Sequence, residues 1–278
     1  MAADRIQGRV FGEVADEYDR LRPGYPAEVI DDVLAYAGSA KPSVLEIGAG
    51  TGKATMALAQ RGLTITAVEP DPAMAEILEA RCVNQPVRVV VSSFEDYRPT
   101  EQFGLLVSAT AFHWTNPATR WQLSAAALAP GGALALFWNN DRIADAARAR
   151  SALGVLRQLP DDAVQAMTPQ SRAAWSAHCA HAARLVDKPE PWEGGVGHST
   201  WPPSELPTRP EFDDVTERVY RWSRVLTAAD YLAYQLTQSS YRLLPDQVRG
   251  RLLDSLADVV GDPVVLDGNT VLVLARRR

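Results

Sequence analysis

The stretch Val44-Leu45-Glu46-Ile47-Gly48-Ala49-Gly50-Thr51-Gly52 runs a short apolar segment into a turn with three glycines in five residues. Without Cβ atoms, such a turn lets the backbone come into van der Waals contact with a ligand. Thirteen residues on, Ile65-Thr66-Ala67-Val68 forms a second apolar segment that ends on Glu69. An acid at the end of the second strand of an α/β unit is placed to accept two hydrogen bonds from a ribose diol. Together the two segments predict a nucleoside site.

The details of the turn favour one class of nucleoside. A dinucleotide fingerprint needs G-x-G-x-x-G, which aims a helix N-terminus at a pyrophosphate. Counted from Gly48 the sixth position is Lys53, so the third glycine is out of place. Glu46, just before the glycines, would repel a diphosphate but suits a cationic ligand that carries an amino group. S-adenosyl-L-methionine has a sulfonium and an ammonium and no phosphate. The expected cofactor is therefore S-adenosyl-L-methionine, with S-adenosyl-L-homocysteine as its product. A nicotinamide-dependent oxidoreductase is the weaker alternative.

Alternating strand and helix signals fill residues 26 to 138. A helix is expected over 26–37, with Val29, Ile30, Val33, Leu34 and Ala37 at helical spacing and Gly38 as its stop. Strands are expected at 43–47, 63–68, 87–91, 103–109 and 133–138. Helices are expected at 54–61, after Asp71-Pro72 (an N-cap followed by a first-turn proline), and at 117–128. The valine-rich stretch Val87 to Val91 reads as a parallel strand buried on both faces. Such repetition predicts a parallel sheet with helices on both sides. Beyond it, 141–187 is alanine-rich and helical without strand signal, and 188–210 is a proline- and glycine-rich loop. Val215 to Ser223 and Val271 to Ala275 read as strands, with two helical stretches between them.

The composition sets wider bounds. A chain of 278 residues with 46% hydrophobic and 22% charged residues builds a full core. A net charge of −6 argues against a nucleic-acid partner. The basic run Arg276-Arg277-Arg278 reads as a solvated tail. Two cysteines, Cys82 and Cys179, without C-x-x-C spacing argue against a disulfide framework or zinc cage. With no long apolar run and a charged start at Asp4 and Arg5, the protein is expected to be cytoplasmic with no membrane partner.

On these residues the chain resembles the class I S-adenosylmethionine-dependent methyltransferases of the small-molecule type, the methyltransferase domain 11 and trans-aconitate methyltransferase-like group. The likeness runs over residues 8–140. Phe11, Ala15, Tyr18-Asp19 and Arg22-Pro23-x-Tyr25-Pro26 are similar to the group's N-terminal lid. Ser92-Ser93-Phe94-Glu95 stands at the adenine loop, although smaller and often acidic residues are common there. Ala111-Phe112-His113-Trp114, Leu128-x-Pro130-Gly131-Gly132 and Phe137-Trp138-Asn139-Asn140 complete the set.

The resemblance implies a doubly wound, seven-stranded Rossmann-like sheet with an antiparallel last strand and a helical cap insertion. The expected division is 1–140 for lid and cofactor core, 141–210 for the cap, and 211–278 for the rest of the sheet. The activity implied is in-line methyl transfer to a small organic acceptor, with oxygen favoured over nitrogen or carbon, in a monomer or homodimer. A catalytically silent cofactor-binding protein is the other reading.

The implied cofactor residues are Glu46, Gly48, Ala49, Gly50, Glu69, Pro70, Ser93, Phe94, Glu95, Tyr18 and Arg22. Glu95 reads equally well as a solvated loop acid, and Arg22 either binds a carboxylate or forms a surface ion pair. His113, after the fourth strand, is the candidate base, since an imidazole titrates near neutral pH; a structural role beside Trp114 is the alternative. The expected acceptor residues are Tyr25, His113, Trp114, Trp138, Asn139, Trp201 and Tyr241. His178 and His181 have helical spacing but no third ligand nearby, so no metal is expected.

Overall fold

The computed structural model describes residues 10–39, 41–187 and 205–278. In chain order these form α1 (Ala15–Leu21), α2 (Ala27–Ala37), β1 (Val44–Ile47), α3 (Lys53–Ala59), β2 (Ile65–Glu69), α4 (Pro72–Arg81), β3 (Val87–Val91) and β4 (Phe103–Ala109). They continue with α5 (Arg120–Ala127), β5 (Leu128–Ile143), α6 (Ala146–Arg157), α7 (Asp161–Gln165) and α8 (Pro169–Asp187). The last elements are β6 (Phe212–Leu226), α9 (Ala228–Leu236), α10 (Ser239–Arg242), α11 (Asp246–Val260) and β7 (Val264–Arg277).

The seven strands form one sheet in the order β3-β2-β1-β4-β5-β7-β6, mixed, with the last strand antiparallel, as expected. β1 lies parallel between β2 and β4, with Ile47 opposite Val68 and Glu46 opposite Val107. Because side chains alternate across a strand, Val44 joins the core on one face while Leu45 and Ile47 join the core on the other. Glu46 falls on the Val44 face and is fully buried.

The chain divides into two compact units. The sheet unit holds Pro23–Asn140, the described part of Gly197–Tyr220, and Asn269–Arg278. The helical unit gathers the described parts of Met1–Arg22 and Asp141–Val196, with Arg221–Gly268. Each unit has its own core. The helical unit packs α6, α8, α9 and α11 around Leu156, Trp175, Tyr241, Leu252 and Leu256.

Several expectations need correction. Val87–Val91 is not buried on both faces: β3 is an edge strand, its residues are half-buried or exposed, and Val91 is 54% exposed. An apolar run reports what a strand can bury, whereas its place in the sheet decides what it does bury. β5 is longer than 133–138 and reaches Ile143, so the helical segment starts after it. Its first residues take up a register shift between Phe103 opposite Leu128 and Leu105 opposite Ala133. Three helices, not two, separate β6 from β7. The basic end is no solvated tail: Arg276 and Arg277 belong to β7, and Arg276 lies over the Tyr36 ring and donates to the carbonyls of Gly131 and Tyr36. Of the 188–210 loop only 205–210 lies within the described residues. No described helix is long and apolar enough to cross a membrane.

The start of α4 follows its sequence signal. The Asp71 side chain accepts from the N–H groups of Ala73 (2.9 Å) and Met74 (3.4 Å), and Pro72 occupies the first helical position. Asp71→Ala should lower stability by about 1 kcal/mol, the usual value of an N-cap. A urea denaturation midpoint equal to wild type would refute this.

Candidate active site

The parallel pairing brings the carboxyl ends of the strands in the sheet unit to one edge, where open α/β sheets bind their ligands. Backbone hydrogen bonds continue the pairing past the strands. The Val68 carbonyl accepts from the N–H groups of Gly48 (2.8 Å) and Ala49 (3.2 Å), Glu69 accepts from the Ser92 N–H (3.1 Å), and Phe137 accepts from the Thr110 N–H (2.8 Å). The loops after β1, β2, β3 and β4 are thus set in fixed neighbourhood by the sheet itself.

Two glycines of the turn face protein rather than open space. At Gly48 (φ +68°) an added Cβ would fall on the Cβ of Ala111, from the loop after β4. At Gly52 (φ +90°) it would stand 2.6 Å from Leu78 Cδ1 of α4. Gly50 differs, since its nearest neighbour would be Met74 Cε at 3.7 Å. The glycines therefore serve packing at 48 and 52 and leave room at 50.

Glu69 ties the turn together. Its Oε2 accepts from the Gly50 N–H (2.8 Å) and its Oε1 from the Asp71 N–H (2.9 Å). Burial raises its pKa, and these two N–H groups offset part of that shift. A carboxylate has about four lone-pair sites, so each oxygen retains one acceptor position for a further donor. Pro70 links Glu69 to Asp71 at the mouth of this turn.

Glu46 is the more exceptional acid. It is fully buried, and neither carboxyl oxygen has a hydrogen-bond partner. Burial pushes its pKa up to about 8. Thr55, which approaches without a hydrogen bond of ordinary geometry, offsets part of the shift, while the charge of Glu69 adds to it. The hydroxyls of Thr51 and Thr55 are likewise buried without partners. A buried acid and two buried hydroxyls without internal donors fit a cationic, hydrogen-bonding group at this turn, and fit a diphosphate poorly.

The residues of the loop after β3 have separate tasks. Ser93 Oγ donates to Asp96 Oδ2 (2.6 Å) and accepts from the Asp96 N–H (3.1 Å), so its hydroxyl is engaged in its own turn. Phe94 is 6% exposed and belongs to the core. Glu95 is not simply solvated, because its Oε1 accepts from the Asn116 N–H at 2.6 Å and so joins this loop to the one after β4.

That second loop carries His113 and Trp114 in a short 3-10 turn, their rings 4.5 Å apart. Phe112 anchors it in the core 5.1 Å from the Trp121 ring. Arg120 and the Trp121 indole N–H (2.7 Å) in turn donate to Glu205. His113 and Trp114 both reach solvent. Although His113 has solvent at its surface, the protein packed around it and the Arg120 cation push its pKa down to about 4. At pH 7 the imidazole is therefore neutral.

The expected acceptor residues divide. The Tyr25 hydroxyl bonds Thr110 Oγ1 (2.9 Å), and its ring meets Phe137 edge-on at 4.8 Å. Asn139 is occupied at both ends of its amide: Nδ2 donates to the Gly24 carbonyl (3.0 Å), and Oδ1 accepts from Thr270 (2.5 Å). Trp138 is half-buried against the core. Trp201 lies outside the described residues.

Tyr18, Arg22 and Tyr241 belong to the helical unit. Arg22 is no surface ion pair. Its guanidinium lies over the rings of Tyr18 (5.3 Å) and Tyr234 (5.2 Å) and donates to the Thr237 carbonyl at 3.0 Å. Tyr241 is a core residue that meets the rings of Trp175 and His178 edge-on. His178 also stacks on Trp175 at 5.2 Å, a packing role for a residue with metal-like spacing.

Sequence reasoning missed Thr110 and Asp141. Thr110 adopts φ +55°, a conformation that costs a β-branched residue about 1–3 kcal/mol. Only its place just before the His113 motif could have drawn attention to it. Asp141 accepts from the Tyr234 hydroxyl at 2.6 Å, and burial raises its pKa.

The seven-stranded sheet, with the glycine turn after β1 and the acid that closes β2, has the Rossmann-like methyltransferase fold. Residues 44–132 match the family model described as a methyltransferase domain. A protein of Mycobacterium tuberculosis described as an uncharacterized methyltransferase is 40% identical over 129 residues, covering 46% of this chain and 51% of that one. A Saccharomyces cerevisiae protein named a probable S-adenosylmethionine-dependent methyltransferase is 30% identical over 128 residues, covering 44% and 43%. The chain spans about half the length of the curated relatives it matches. A solved structure from Anaeromyxobacter dehalogenans, provisionally described as a type II methyltransferase, aligns with a TM-score of 0.54 at 18% identity. That alignment covers 92% of this chain and 97% of the other, a likeness of fold.

The buried state of Glu46 has a measurable consequence. Between about pH 4.5 and 8 the unfolded chain has lost this proton while the ligand-free folded protein keeps it. The contribution of Glu46 to stability therefore falls as pH rises through that window. Glu46→Gln should flatten this decline, read as denaturation midpoints from pH 5 to 8.5. A slope identical to wild type would show that Glu46 is not held protonated.

Proposed function

We propose that the protein transfers the methyl group of S-adenosyl-L-methionine to a small organic acceptor, at oxygen in preference to nitrogen or carbon. The observation that carries this reading is Glu46, a fully buried carboxyl at the glycine turn with no hydrogen bond of ordinary geometry. It calls for a cationic group there, which a methionine ammonium supplies and a dinucleotide does not. The family match over residues 44–132 supports the same cofactor.

When bound, S-adenosyl-L-methionine supplies a sulfonium-bound methyl that is already an activated electrophile. The chain's own residues then have to bind, orient and exclude water. Glu69 accepts the ribose hydroxyls with the acceptor positions left over from Gly50 and Asp71. Glu46 ionises against the ammonium. Gly48, Ala49 and Gly50 present backbone to the ligand, and Pro70, Ser93, Phe94 and Glu95 border its adenosine. Tyr25, Trp114, Trp138 and Asn139 border the acceptor.

His113, neutral at pH 7, accepts a hydrogen bond from the acceptor and takes up its proton as transfer completes. An imidazole, here with its pKa lowered, is too weak a base to ionise an alcohol beforehand, so proximity supplies most of the rate. The acidic chain gives no basic footprint for nucleic acid.

Calorimetric titration with S-adenosylhomocysteine, S-adenosylmethionine and NAD tests the reading. Both adenosyl ligands should bind and NAD should not, and Glu69→Ala should weaken binding by roughly tenfold to a hundredfold, the value of hydrogen bonds to a charged group. With an acceptor found by product screening, His113→Ala should lower kcat less than the ~100-fold expected on losing an efficient general base. Binding of NAD, or of none of the three, would sink the proposal. Cofactor binding with no product across a broad acceptor panel would favour a catalytically silent binding protein.

A further inference from the structure

Tyr25, just before α2, and Thr110, just after β4, are 85 positions apart and joined by a hydroxyl–hydroxyl bond of 2.9 Å. Both are anchored from a third side by Phe137 of β5. Its ring takes the edge of Tyr25 at 4.8 Å, and its carbonyl accepts the Thr110 N–H at 2.8 Å. Thr110 is held at φ +55°, a left-handed conformation that a β-branched residue does not adopt unless its surroundings impose it. Strained residues of this kind persist where neighbouring contacts over-determine them.

The conformation of Thr110 decides the course of the next four residues. It aims the Ala111 Cβ at the space a side chain on Gly48 would need, so the loop after β4 rests directly on the glycine turn. It also starts the 3-10 turn closed by the bonds from Trp114 N–H to the Ala111 carbonyl (2.9 Å) and from Thr115 N–H to the Phe112 carbonyl (3.2 Å). At its far end the turn is held by Glu95 through the Asn116 N–H. One end of the His113 turn is therefore fixed by the adenine loop, and the other by the Tyr25–Thr110 pair.

We propose that the Tyr25–Thr110 hydroxyl pair is the positioning device of the His113 turn, holding Thr110 left-handed so that Ala111 locks onto Gly48 and His113 stands at the carboxyl edge of the sheet. Tyr25 and Thr110 are positioning residues, acting through Ala111 and His113 rather than on the reacting atoms. The chemistry served by the turn rests on the methyl-transfer reading; the mechanical coupling does not.

Hydrogen exchange resolved by peptide, with NMR titration of His113 assigned through His113→Gln, tests the coupling in the whole chain. Tyr25→Phe keeps the ring against Phe137 and removes only the hydroxyl. Thr110→Val keeps the branch, and Thr110→Ser keeps the hydroxyl. Tyr25→Phe and Thr110→Val should speed exchange at Trp114 and Thr115 by about threefold to tenfold, the worth of one neutral hydrogen bond. Exchange in β1 should stay as in wild type, and Thr110→Ser should restore protection. The His113 pKa should rise toward its ordinary value as the protein packed around it, and its distance from Arg120, relax. Unchanged exchange at 114–115, or an equal increase throughout the sheet, would overturn the proposal. S-adenosylhomocysteine binding by the wild type separates the two claims. Its absence would remove the reading of the site, while the exchange data would still decide the coupling.

Discussion

The carboxylate of Glu69 is the tie on which the site depends. It is nearly excluded from water, a costly state for an acid, and two backbone N–H groups from different turns offset that cost. One belongs to the glycine turn after β1 and the other to the cap of α4. A single side chain at the end of β2 thus fixes two loops relative to each other before any ligand arrives. Preorganisation of this kind matters for a reaction whose electrophile is already activated, because little remains for the protein to do except place the partners.

The glycine turn acts in the same system from the other direction. Ala111 presses on Gly48, Leu78 presses toward Gly52, and only Gly50 looks onto freer space. Glycine is therefore required here as much by neighbouring protein as by a ligand. The loops after β1, β2, β3 and β4 are coupled by Glu69, Ala111 and Glu95, each a short contact across the sheet's carboxyl edge. His113 stands at the end of this series with a depressed pKa, which suits hydrogen bonding and orientation better than strong base catalysis.

The helical unit has a different character. Its core is rich in tyrosine and tryptophan, with ionisable groups set among them. Tyr234 donates to Asp141, and Arg22 lies over two tyrosine rings. Charges are costly in such surroundings, and these groups are accommodated by hydrogen bonding and by the ring quadrupoles. Aromatic residues that sequence reading groups as acceptor contacts prove of two kinds. Tyr241 is core, whereas Trp114 is exposed at the sheet's edge.

Strand and helix alternation, the N-cap at Asp71 and the glycine turn with its two acids were legible in the amino-acid sequence. Their signals are local: hydrophobic period, capping chemistry and the steric freedom of glycine. The seven-stranded sheet with an antiparallel last strand came from the likeness to a family, and the structure has that sheet. What only the tertiary structure decided was where local features ended up. Val87–Val91 lies at an edge and not in the centre, because neighbours in the sheet are set by topology. Arg276 and Arg277 became strand residues whose guanidinium groups donate to the carbonyls of Gly131, Tyr36 and Leu128, contacts only the folded sheet brings together. Glu46 ended fully buried without a hydrogen bond of ordinary geometry, and Thr110 took a conformation its residue type disfavours. Neither fact is encoded within a few residues, since both arise where segments far apart in the chain meet, and they meet only once the sheet has closed.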